Sequence, residues 1–297
     1  MSPRLRGITS MLLSVGFFAG MDALLKTLSG SYPALEVSAL RGAASLPFVV
    51  AATLWRGRLA DLKPVRWPLH LARGVLAIIM LSSFIYALRL LPMADAYALF
   101  LAAPLIVTGL SVPLLGERVD WRRWVAIAVG LAGTFALLKP AAANLATVGA
   151  LAAIAAALCY ALSAITIRVL TRTDTTASMV FWFMAMLAVF AGILAAPAWV
   201  PIRSEHWVLL AGVGVLGALG QHFVTEAFRD APASTIAPFE YTAILWAVAL
   251  DWIIWMHIPG AQMLAGAAVI ILSGLYLIHR ERRDHRAATI AACNVPP

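Results

Sequence analysis

Charge is what this chain has least of. Only 12% of its 297 residues are Asp, Glu, Lys or Arg, and the mean hydropathy is +0.89. Soluble domains carry about a quarter charged residues, so a water-soluble globule is excluded. Cysteine is almost missing too. Cys159 lies in an apolar run and Cys293 in the tail. The two cannot meet, which leaves neither a disulfide framework nor a cysteine metal cluster. No small-x-small cleavage site closes the first apolar run, which passes Asp22 and reaches Leu28. That run therefore reads as a retained span rather than a secretory leader.

What is abundant is hydrophobic, at 62% of the chain. Ten apolar runs, 7–28, 34–55, 69–91, 94–115, 122–138, 147–170, 177–197, 206–229, 233–256 and 260–279, are each read as a crossing of a ~30 Å hydrocarbon core. Every backbone polar group must be satisfied within such a span, so each is read as a helix. Pro92 and Pro232 separate the runs that nearly merge. Trp55, Trp67, Trp121, Trp124, Trp199, Trp207 and Trp255 fall at span ends, where amphipathic rings prefer to sit. Trp182 and Trp246 fall deeper, as core packing or as cavity lining.

The chain also repeats. Tyr86-Ala87-Leu88-Arg89-Leu90-Leu91-Pro92 is echoed 140 residues later by Glu226-Ala227-Phe228-Arg229-Asp230-Ala231-Pro232. Trp67 and Trp207 share that offset, Leu131-Ala132-Gly133 returns as Leu272-Ser273-Gly274, and Phe18-Ala19 with Lys26 returns as Tyr160-Ala161 with Arg168. The expected fold is an all-α membrane protein of ten transmembrane helices. Residues 1–140 form a first five-helix repeat, 141–280 a second, and 281–297 a basic cytoplasmic tail. An odd number of spans per copy turns the second copy upside down, and such inverted repeats place a substrate site between the copies.

The net charge of +8 would suit nucleic acid, but its distribution does not. With the N-terminus inside, sixteen of the 22 Lys and Arg fall on the inner side and four on the outer, with Arg41 and Arg73 within spans. That asymmetry is the positive-inside signature, and it puts both termini in the cytoplasm of a multi-pass inner-membrane protein. The basic run at 280–286 reads as an anchor near anionic lipid.

Gly212-Val213-Gly214-Val215-Leu216-Gly217 matches a dinucleotide-binding pattern, yet it sits inside a span with no strand before it. With Gly220, and like Gly16 and Gly20, it reads as a small-residue face for close helix contact. Polar residues within spans are costly and mark function by default. The eighth span holds Gln221, His222, Thr225 and Glu226; His222 and Glu226 are four apart and share a face. Their repeat equivalents are Ser82 and Tyr86. The two faces are expected to meet near the pseudo-two-fold axis; alternatively, His222 and Glu226 only satisfy each other. Pro238 precedes Glu240 and Tyr241 in the ninth span, where freed carbonyls can line a cavity; alternatively, Glu240 pairs with an inner arginine. Tyr97 lines an outer vestibule or belongs to the aromatic belt. Tyr160, Ser163 and Thr166 form one stripe. Asp22, Lys26 and Arg41 read as a structural cluster, and Asp251 as uninformative. The candidate substrate-binding set is thus Ser82, Tyr86, Tyr97, Tyr160, Ser163, Gln221, His222, Glu226, Glu240, Tyr241 and Trp246, with no catalytic residue, metal or cofactor.

Ten spans as five plus five, Leu114-Leu115-Gly116-Glu117 closing the fourth, and Pro238-Phe239-Glu240-Tyr241-Thr242 in the ninth resemble the EamA branch of the drug/metabolite transporter superfamily, over about residues 7–280. Within it the chain is most similar to YddG-type exporters of aromatic and other neutral amino acids. The resemblance implies a central cavity and alternating access by rocking bundles. It breaks at Trp255-Met256-His257, where the second copy lacks the counterpart of Leu115-Gly116-Glu117. The expected lining is aromatic with few charges and no inward arginine pair for a phosphate, which suits an amphipathic small molecule such as an amino acid. The partners expected are that substrate and the bilayer, with no obligatory protein partner. Two rivals are an extruder of drugs or quaternary amines on the same fold and a membrane-embedded lipid enzyme.

Overall fold

The computed structural model describes residues 3–55, 59–115, 145–231 and 239–258, with Ile236 and single positions between 121 and 129 and between 260 and 272. Among the described residues are nine α-helices: α1 Pro3–Ser29, α2 Ala34–Trp55, α3 Trp67–Leu90, α4 Met93–Phe100, α5 Ala103–Leu115, α6 Leu145–Leu170, α7 Thr176–Ala195, α8 Trp207–Asp230 and α9 Ala243–Trp255. Six stretches, Leu5–Ser29, Ala34–Trp55, Trp67–Leu90, Val148–Leu170, Thr176–Ala198 and Ser204–Asp230, are long and apolar enough to cross a membrane. They coincide with the first, second, third, sixth, seventh and eighth expected spans. The fifth and tenth lie mostly outside the described residues, as does the tail at 281–297.

The fourth expected span is not one helix. The chain turns at Leu101 and Ala102 between α4 and α5, where Ala102 N donates to Leu99 O and Leu105 N to Ala102 O. Pro104 has no N–H to give to the carbonyl four residues back, which weakens the helix at this turn. The second copy turns at Tyr241 and Thr242, 140 residues on, with Thr242 N donating to Phe239 O and Leu245 N to Thr242 O. Both copies thus carry the same broken helix at the same place. A continuous apolar run conceals such a break from a reading by hydropathy.

Each helix takes its main partner from the other copy: α1 packs on α8, α3 on α6, α2 on α7, and α4 on α9. The first two are one contact made twice. A Cβ on Gly7, near the start of α1, would meet Ala231 at the end of α8; a Cβ on Gly149, near the start of α6, would meet Leu90 and Leu91 at the end of α3. Lys26, near the end of α1, donates to the carbonyl of Leu91 at 3.2 Å. The ends of α1 and α3 therefore share a face, and α6 starts where α1 finishes. The second copy is inverted, and the two are interlocked rather than side by side.

Small residues make the interlock possible. Lipid tails are as apolar as leucine, so helices associate there through close packing. The backbone of Ala188 and Met184 lies where a Gly42 side chain would be, and the Ala44 carbonyl where a Gly214 side chain would be. Gly220 lies against Phe18, and Gly217 faces Ser45 and Met21. The glycine pattern of the eighth span is accordingly a packing face.

Candidate functional site

A cavity of about 120 Å³ opens between the copies. On that measure a water needs roughly 10–15 Å³, so the space is that of a small molecule rather than of one or two waters. It draws on both copies: α1, α2, α3, α4 and the turn after it on one side, and α6, α7, α8, Glu240 and Ala243 on the other.

Five of the eleven expected residues stand in its wall: Tyr97, Tyr160, Ser163, Gln221 and Glu240. Six do not. Ser82 meets Ser38 Oγ at 3.2 Å, and Tyr86 is 38% exposed on the flank of α3. His222 stacks edge-on against Phe223 and is half-buried, as is Glu226. Tyr241 is buried at the break before α9, and Trp246 is 49% exposed beside Gly16. The expectation that the Ser82/Tyr86 and His222/Glu226 faces meet in the cavity is corrected by a rotation. The walls are Leu81 and Phe84 on α3 and Gln221 and Val224 on α8, again 140 apart. One residue is 100° around a helix, and the close contacts of Gly214 and Gly220 fix which side of α8 turns inward. The more polar stripe is not the inward one.

Two carboxylates face the cavity, each bound to a tyrosine. Tyr97 donates to Asp22 Oδ2 at 2.6 Å, and Tyr160 donates to Glu240 Oε1 at 3.3 Å. Rings link the pairs: Tyr97 to Phe84 at 5.5 Å, Phe84 to Phe100 at 4.9 Å, and Phe100 to Tyr160 at 5.3 Å between centroids. An unbroken aromatic run joins one carboxylate to the other. Glu240 thus pairs with a phenol of its own copy rather than with an arginine.

The expected cluster of Asp22 with Lys26 is also corrected. Lys26 pairs with Asp251 at 3.3 Å and stands 4.7 Å from the Trp255 ring centre. Asp251 is fully buried and accepts from Ala94 N at 2.6 Å, closing the start of α4. A same-helix pair four apart is worth only tenths of a kcal/mol, whereas a buried carboxylate on an open helix start satisfies donors that have no partner within the helix. Asp251, which says little in the sequence, is an anchor between the copies.

Arginine is the largest departure from expectation. Arg41 and Arg73 both line the cavity, at 3% and 1% exposure. Arg41 stands within electrostatic reach of Asp22 and Tyr97 and 5.6 Å from the Phe18 ring. Arg73 Nη1 donates to the carbonyl of Met179 at 3.0 Å, and its guanidinium lies 4.6 Å from the Phe183 ring. The absence of inward arginines expected from the sequence therefore does not hold. Two lone arginines within spans were the available signal, because such charges are rarely placed without purpose.

Each face carries a hydrogen-bonded corner between the copies. On the face where α1 begins, Asp174 Oδ1, between α6 and α7, accepts from Val65 N at 2.8 Å and lies 2.9 Å from His70 Nε2. Arg229 donates to its carbonyl, and Thr173 to its Oδ2. Burial pushes the Asp174 carboxyl up, but the hydrogen bonds from His70, Val65 and Thr173 outweigh this and hold it below the usual range. On the opposite face Tyr32 OH accepts from Arg203 N at 3.0 Å and lies 2.8 Å from His206 Nδ1, while Glu36 accepts from Val200 N.

Comparison with known proteins agrees with this architecture. The model of the EamA-like transporter family matches residues 5–139 and again 147–279, one match per copy. The chain is 29% identical to the pseudopaline exporter of Pseudomonas aeruginosa strain UCBPP-PA14, over 91% of this chain and 95% of that one. It is 28% identical to the riboflavin transporter of Vibrio cholerae, over 95% and 96%, and 29% identical to the S-adenosylmethionine uptake transporter of Rickettsia conorii, over 94% of each. A solved structure with 22% identity superposes with a TM-score of 0.67 over 95% of this chain and 98% of its own, a likeness of fold. One of these relatives is named an exporter and another an uptake transporter, and none of the three is named as an amino acid exporter. With two matched copies covering nearly its whole length, the chain belongs to the EamA-like transporter family.

Proposed function

We propose that this protein is a secondary transporter of the inner membrane that moves small amphipathic metabolites, neutral and aromatic amino acids among them, by alternating access. One observation carries the reading: the cavity between the copies presents carboxylates at both ends of an aromatic run. Aromatic faces hold an apolar body and attract an ammonium group, and Asp22 and Glu240 offer that group a partner at either end. The broken helices beside the cavity support the same reading, since unwound backbone at mid-membrane belongs where it lines a transport site.

The interlocked inverted copies offer two near-equivalent packings, one open to each face. Both termini lie in the cytoplasm, as the placement of Lys and Arg favours. Export down a cytoplasmic gradient requires no coupled ion, so facilitated export is the proposed mode. The test is flux in proteoliposomes. Phenylalanine, methionine and threonine are expected to move, and Asp22→Asn or Glu240→Gln to slow them about tenfold. No movement of any of the three ends the amino acid assignment. A second reading, extrusion of quaternary amines, draws on the same carboxylates and rings. Flux of a cationic dye without flux of amino acids would favour it.

A further inference from the structure

Arg73 is not used by the reading above. Its guanidinium is buried in the cavity wall, one amino group is tied to Met179 O, and one face is covered by Phe183. Its Nε and Nη2 have no hydrogen-bond partner among the described residues. These two N–H groups form a single edge of the planar fork, the edge that receives the two oxygens of a carboxylate side by side. Arg41 differs. It has Asp22 within electrostatic reach, whereas no carboxylate acts on Arg73 among the described residues.

A buried cation without a counter-charge is expensive. Unmet donors on the same group add to that. Such an arrangement persists where a ligand supplies what is missing. We propose that the Nε–Nη2 edge of Arg73 is the anion subsite of the transport cavity and that it takes the carboxylate of the substrate. Met179 and Phe183 hold the fork in place from α7, so the edge is preset before the substrate arrives. The substrate class is thereby narrowed to carboxylate-bearing amphipathic molecules. Phe183 stands 142 residues from Arg41 and Val213 stands 140 from Arg73, so each arginine belongs to one copy alone and the subsite is not duplicated by the inverted repeat. The inference rests on the transport reading for the cavity's role, but not on which metabolite is carried.

The experiment is thermal unfolding of the detergent-purified full chain with phenylacetate, phenylalanine and phenethylamine as probes. Phenylacetate and phenylalanine are expected to raise the wild-type midpoint. Arg73→Met is expected to weaken their apparent affinity about tenfold or more, Arg73→Lys to restore part of it, and neither to weaken the response to phenethylamine. An unaltered phenylacetate response in Arg73→Met overturns the proposal, as does the absence of any carboxylate response in the wild type. If Arg73→Met does not fold, Arg73→Lys and Arg73→Gln carry the test through the same ratio of phenylacetate to phenethylamine response. Binding of phenylacetate through Arg73 without flux of amino acids would keep the subsite and remove the amino acid assignment.

Discussion

The two corners that tie the copies together at opposite faces are the same piece of architecture built in different chemistry. Tyr32 and Asp174 lie 142 residues apart, each in the turn between the first two helices of its copy. Each reaches the loop between the second and third helices of the other copy, takes a backbone N–H there and meets a histidine at or near the following helix start: His206 for Tyr32, His70 for Asp174. On one face the acceptor is a phenol. On the other it is a carboxylate, and both it and His70 are almost wholly buried. An inverted repeat keeps topology symmetric while leaving each face free to choose its charge. The two faces therefore need not open with equal ease.

That contrast can be broken at several points. The largest effect is expected at Asp174→Ala. It strands the buried His70 and the Val65 N–H together, and the loss is about 2–4 kcal/mol of stability, read as a lowered unfolding midpoint in detergent. Tyr32→Phe, its counterpart, removes a neutral hydroxyl from a more open corner and is expected to cost about 1 kcal/mol. Equal losses at the two positions would erase the difference between the faces. Acid sharpens the contrast with a smaller change. The folded Asp174 carboxyl titrates below its unfolded value, so its contribution is complete above the unfolded carboxylate value of about 3.9. It fades as the pH falls through the folded value. Unfolding followed below about pH 4 should show this loss in the wild type, and Asp174→Asn should lack that component.

Much of this was legible in the sequence, for identifiable reasons. The repeat shows because Tyr86–Pro92 and Glu226–Pro232 occupy equivalent helix ends, and the long spans show because hydropathy reports length directly. The glycines of the eighth span read correctly as packing because no strand precedes them. The break at Leu101 stayed hidden, since a turn buried among apolar residues leaves no polar trace, whereas Pro238 marked the neighbourhood of the one at Tyr241. The cavity face was read from the wrong stripe: polarity favours His222 and Glu226, but rotation is set by where Gly214 and Gly220 touch Phe18 and Ala44. Asp251 and Arg73 went unread because their partners, Ala94 N, Lys26 and Met179 O, are far away in sequence and two of them are backbone atoms.

The central claim is that the space between the inverted copies is the route through the membrane. Ser163 stands in its wall and Ser82 outside it. In a chain whose Cys159 and Cys293 are replaced by alanine, Ser163→Cys should react with a membrane-impermeant thiol reagent added to either side of sided vesicles. Modification there should stop flux, and Ser82→Cys should stay unreactive. Reaction of Ser163→Cys from one side only, or with flux intact, would contradict the account.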